Sequence, residues 1–116
     1  MSTPDIIRAL QALEGNEQLL KDLASMFVED APVILDQLKV AIAINNAAQA
    51  RTAVHNLKGL VSTFYATSSV EIAQRLEACA AQGNLDEFRN GELEQLEKCI
   101  NSVTEDFQQR GWVGRL

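Results

Sequence analysis

The chain has one histidine, two prolines, two cysteines, few aromatic residues and no run of basic ones, and each scarcity removes a class of function. Ten Lys and Arg against 16 Asp and Glu give a net charge of -6, with the cations scattered. Such a surface is unsuited to neutralising nucleic-acid phosphates, so nucleic acid is not expected as a partner. No window approaches the roughly 20 apolar residues of a membrane span, and Met1-Ser2-Thr3-Pro4-Asp5 lacks a basic stretch leading into an apolar one. No membrane contact is therefore expected, and the simplest compartment is the cytoplasm. Cys79 and Cys99 are far apart, without a pairing pattern, and each has apolar neighbours. They read as buried free thiols, and with one outward histidine they fall short of a zinc ligand set, so no metal is expected. A glycine-rich nucleotide cradle and a Walker-type Gly-Lys-Ser/Thr are also missing, which excludes phosphorylation from ATP by this chain alone.

What is present is helical periodicity. Hydrophobic residues make up 47% of the chain and Ala, Leu, Glu and Gln abound, a composition that favours helix and supplies one core. Thr3 and Pro4 open a short first helix with Ile6, Ile7, Leu10 and Leu13 on one face, ending at Gly15. Asn16 opens a second helix with an apolar seam of Leu20, Ala24, Phe27, Ala31, Ile34, Leu38 and Ala41, kinked at Pro32 without loss of phase. Asn46 caps a third, and Ser68 with Glu71 forms a capping-box pattern for a fourth that carries Ile72, Ala73, Leu76, Cys79 and Ala80 inward. Asn84 starts a last long helix, with Gly91 a candidate bend and Leu85, Phe88, Leu96, Cys99, Ile100, Val103 and Phe107 inward. The expected fold is all-α, an antiparallel up-and-down four-helix bundle with a short additional N-terminal helix. It forms a single domain over residues 1–116, with a core bundle at about 16–109 and a C-terminal tail at 110–116. A bundle that buries its own seams is expected to be a monomer. Trp112 in the tail either folds back on the bundle or stands apart from it.

The third helix carries the chemistry. Its apolar positions Ala50, Val54, Leu57, Val61 and Phe64 are spaced at three- and four-residue steps, the seam of a bundle helix. His55 lies about 140° from the centre of that seam and so faces solvent. Arg51, Lys58, Gly59 and Ser62 fall within roughly 60° of it. Gly59, inside a helix, costs about 1 kcal/mol relative to alanine, and an open approach to the neighbouring imidazole would offset that cost. A lysine beside the ring supplies charge for an arriving anion. Nucleophile, open approach and cation together suit reversible transfer of a phosphoryl group to nitrogen.

His55-Asn56-Leu57-Lys58-Gly59 in the third amphipathic helix of a small acidic chain resembles the histidine-containing phosphotransfer (HPt) domains of phosphorelays. The similarity runs from about Glu17 to Phe107 and includes Phe-Val-Glu-Asp-Ala-Pro in the second helix and the Leu76-Glu77 pair in the fourth. One position departs from the pattern: ten residues after the histidine the family often has glycine, and this chain has Tyr65.

The resemblance implies that His55 is the phosphoacceptor between aspartates of receiver domains in response regulators or hybrid histidine kinases. It further implies that Lys58 steadies phosphoryl charge, that Gly59 admits the receiver, and that no cofactor is needed, the metal ion belonging to the receiver. Ser62, Arg51 and, on the neighbouring helix, Gln74 are the further candidates for contact with phosphate or partner. Two other readings stay open. One is a non-phosphorylated helical adaptor that binds receiver domains or another signalling protein. The other is a small hydrolase with His55 as general base, for which no paired nucleophile stands close by.

Overall fold

A computed structural model describes residues 3–114, which form helices α1 (Ile6–Ala12), α2 (Glu17–Ala43), α3 (Ala47–Thr63), α4 (Thr67–Ala81) and α5 (Leu93–Gln109). Among the described residues there is no strand. Each of α2 to α5 packs on the next, and α5 returns to α2, which closes the four-helix bundle. The last two residues of the expected tail, Arg115 and Leu116, lie outside the described residues, as do Met1 and Ser2.

The predicted seams are largely the buried ones. In α3 all five expected positions, and Ala53, are buried, and in the last helical stretch so are all seven. In α2 the inner half departs from expectation: Leu35 and Ile42 join Leu38 and Ala41 in the core, whereas Ile34 is half-buried. A seam of strict seven-residue repeat slides round a helix of 3.6 residues per turn, so over 27 residues it must take an extra four-residue step. Here that step is Ala31 to Leu35, beside Pro32, and α2 remains a single helix. Cys99 is buried and Cys79 half-buried, both as free thiols.

Helix ends differ from the sequence expectation at three places. Asp5, not Thr3, caps α1, its carboxylate accepting from the Arg8 amide at 3.1 Å, and Ile7 on the expected apolar face is exposed while Ala9 is buried. The Ser68–Glu71 capping box does not form, because α4 already begins at Thr67 behind Ala66, without a side-chain cap. The long final helix is broken. Asn84 caps a short entry turn by accepting from the Asp86 amide, and the chain then kinks through Phe88–Glu92, where Asn90 and Gly91 leave helical geometry. Gly91 has φ 105°, a left-handed value that only glycine adopts cheaply. Arg89 ties this kink to the α2–α3 turn by donating to the Ile42 carbonyl and to Asn45, and Arg75 of α4 pairs with Glu92.

The α3–α4 connection is a tight hydrogen-bonded turn in which the Ala66 amide donates to the Val61 carbonyl and that of Tyr65 to Ser62. Tyr65 takes φ 53° there, so it occupies the left-handed position that a glycine would fill. The guanidinium of Arg8 lies 4.6 Å from the centre of its ring, a contact that offsets part of the backbone cost. Nearby, Phe27, Phe64 and Phe107 meet edge-to-face with centroids 4.8 to 5.7 Å apart, and Trp112 folds back to stack on Phe107 at 6.0 Å.

A methyl group at Gly91 would meet no atom within 4 Å, so Gly91→Ala tests the backbone alone. It should lower stability by about 1–2 kcal/mol, read as a lower urea midpoint at unchanged slope.

Candidate functional site

With the α3 seam buried, His55 stands on the outer face of the helix, its side chain 62% exposed. The turn at Tyr65–Ala66 folds α4 back along α3, and Ala66 stands midway between His55 and a residue 22 positions later, Glu77. The Glu77 carboxylate is only 17% exposed and bridges two partners. One oxygen lies 2.5 Å from His55 Nδ1, and the other accepts from Lys58 Nζ at 2.5 Å.

These contacts define the ring's reactive side. The carboxyl of Glu77 is held below its usual range: the hydrogen bond from Lys58 is the main cause, burial opposes it, and the bond to His55 adds to it. An ionised carboxylate only accepts, so the proton sits on Nδ1 and donates to Glu77. In the neutral ring Nε2 then carries the lone pair. The carboxylate also orients the ring and is placed to balance positive charge that develops on it.

Around the imidazole the surface is low. A shallow groove of about 720 Å³ is lined by His55, Arg51, Thr52 and Glu77 over a floor of Ala47, Ala48, Ala80, Ala81 and Gly83. Arg51 is exposed one turn before His55 and forms no ion pair among the described residues. Lys58 is half-buried against Glu77. Gly59 is exposed with open space where a side chain would be, so nothing inside the protein demands glycine there. Ser62 lies about 10 Å further along the axis, in a separate depression with Tyr65 and Thr67. Gln74 is exposed on α4 and forms no hydrogen bond to the ring among the described residues; Glu77, almost one turn on, forms it. Among the described residues no group of three or more His, Cys, Asp or Glu side chains is placed to hold a metal, and no helix is long and apolar enough to cross a membrane.

Glu77 is the residue that sequence reasoning passed over as a site. Its signal was present as equal distance: a residue as far after a tight helix–helix turn as His55 is before it lies level with the histidine.

The Hpt domain family model matches residues 22–109, a span that contains the imidazole, its lysine and its carboxylate. The chain belongs to this family. A search of curated proteins finds no match. Among solved structures, the HPt chain is similar to histidine-containing phosphotransfer protein B from Pseudomonas aeruginosa, with TM-score 0.79 and 29% identity over 89% of this chain and 90% of that one. The likeness covers most of both chains, so this HPt domain has the fold of a histidine-containing phosphotransfer protein.

A carboxylate whose folded pKa is depressed stabilises the protein above its unfolded pKa of about 4.3, and that contribution disappears as pH falls through the folded value. Urea unfolding should therefore show wild type more stable than Glu77→Gln at pH 7, with the difference shrinking as the pH drops below about 4.

Proposed function

We propose that His55 is the phosphoacceptor of this domain, taking a phosphoryl group from the phospho-aspartate of one receiver domain and giving it to the aspartate of another. The observation that carries the reading is the exposed imidazole with Nδ1 occupied by Glu77. In the forward step the Nε2 lone pair attacks phosphorus, the aspartate carboxylate leaves with the bonding pair, and Nδ1–H stays on Glu77 while the ring becomes cationic. The reverse step regenerates the neutral ring when a second aspartate attacks.

Lys58 supplies charge to the phosphoryl oxygens, swinging from Glu77 on its flexible stem. Gly59 leaves room for the receiver's phosphorylated loop. Arg51, which lines the groove without an ion pair among the described residues, is a candidate for phosphate or for an acidic group of the partner, and Ser62 and Gln74, outside the groove lining, are further candidates for contact with the partner. The divalent ion of aspartyl-phosphate chemistry belongs to the receiver, so this chain acts as a phosphocarrier without ATP-dependent kinase activity of its own. A monomeric, cytoplasmic protein fits the self-contained bundle and its acidic surface.

The test is transfer from a panel of phosphorylated receivers. Wild type should acquire acid-labile, alkali-stable label and His55→Gln none, with circular dichroism unchanged. Label retained on His55→Gln would move the site elsewhere, and binding without any label would make the chain an adaptor. Gly59→Ala should separate the two roles of that position. It should raise stability by about 1 kcal/mol in thermal unfolding while slowing transfer, and an unchanged rate would remove the proposed role of the gap.

A further inference from the structure

Among the described residues, four of the six exposed large apolar side chains lie on one line of α2: Leu19, Met26, Val33 and Val40, one in every seven residues. Met26, Val33 and Val40 are each more than half exposed. The line is about 32 Å long and sits opposite the buried seam of the same helix. Isolated surface apolar residues are ordinary, but a repeat of seven along a whole helix is the pattern of a helix–helix contact.

Acidic residues run beside it. Asp22, Glu29 and Asp36 repeat at the same interval, and with Asp30 they fall within roughly 60° of Val33. None of the four forms an ion pair among the described residues. The two lysines of α2 lie about 120° round the helix from Val33 and are engaged elsewhere, Lys21 with Glu17 and Lys39 with Glu97 of α5 at 2.7 Å. The face is therefore apolar along its centre and negative along its edges.

This combination selects the occupant. A second copy of the chain would set carboxylates against carboxylates, so self-pairing through this face is opposed by charge. We propose that this face of α2 docks an amphipathic partner helix with an apolar seam repeating every seven residues and lysine or arginine along its flanks. A seven-residue stripe drifts about 20° per repeat, which a partner helix follows by crossing at a shallow left-handed angle. Val33 and Val40 share a shallow groove with Asp36, Gln37 and, from α3, Gln49, so the helix would lie beside α3 without covering His55. The docking is thus independent of phosphoryl transfer.

The experiment uses the full chain, isotope-labelled and titrated with a synthetic helical peptide of about 24 residues, enough to match the stripe, carrying a leucine seam and lysine flanks. A second peptide keeps the seam and carries glutamate flanks. The lysine peptide should give saturable shifts centred on Leu19, Met26, Val33 and Val40, and the glutamate peptide none. Val33→Asp adds a negative charge yet should weaken binding about tenfold or more, Glu29→Lys should weaken it as well, and His55→Gln should bind as wild type does. Tighter or equal binding to Val33→Asp, shifts spread over the whole acidic surface, or equal binding of both peptides would overturn the proposal. So would a dimer in sedimentation that Met26→Asp dissolves, which would give the face to a second copy.

Discussion

The tight turn between α3 and α4 governs everything that happens at His55. Its two backbone hydrogen bonds reverse the chain within a few residues and thereby set the register of the two helices to within one turn. Move that register by one residue and the Glu77 carboxylate rotates by about 100° away from the groove it now lines. Tyr65 accepts an uncomfortable backbone conformation to make the turn, and the cation of Arg8 over its ring helps to hold it. A local backbone constraint nearly 15 Å from the imidazole along α3 is thus what aligns the chemistry.

The electrostatic arrangement follows from that alignment. In a protein of net charge -6, the face of α3 beside His55 nonetheless carries two cations, which is the local charge that the proposed transfer needs against general repulsion of a phosphorylated partner. They are held differently. Lys58 is restrained by Glu77, whereas Arg51 extends into solvent without an ion pair among the described residues. One carboxylate therefore serves two ends: it selects the nitrogen that remains free and keeps the nearest cation close to it.

Much of this was legible in the residues because periodicity reports facing. The α3 seam placed His55 outward and put Lys58 and Gly59 beside it without reference to any other helix, since these are relations within one helix. Relations between helices were harder to read. The Ser68–Glu71 pattern satisfied a capping rule, but backbone bonds closed the turn two residues earlier, at Ala66, and left no helix start for Ser68 to cap. The seam of α2 was extended in strict register, although a 27-residue helix cannot keep it, and Leu35 took the place of Ile34. Glu77 was noticed only as half of a Leu-Glu pair, for want of the α3–α4 register, which depends on a tyrosine in a conformation that its identity does not advertise. The fold and the helix face were local information; the partner of the histidine was not.

The chain's one tryptophan is stacked on Phe107, which in turn touches Phe27 and Phe64, so a single indole caps an aromatic cluster drawn from three of the four bundle helices. That cluster sits at the end of α3 where Phe64 lies, well away from the histidine. The chromophore is thereby separated from the reaction: the fluorescence of Trp112 is placed to report whether the helices are assembled and not what the imidazole carries.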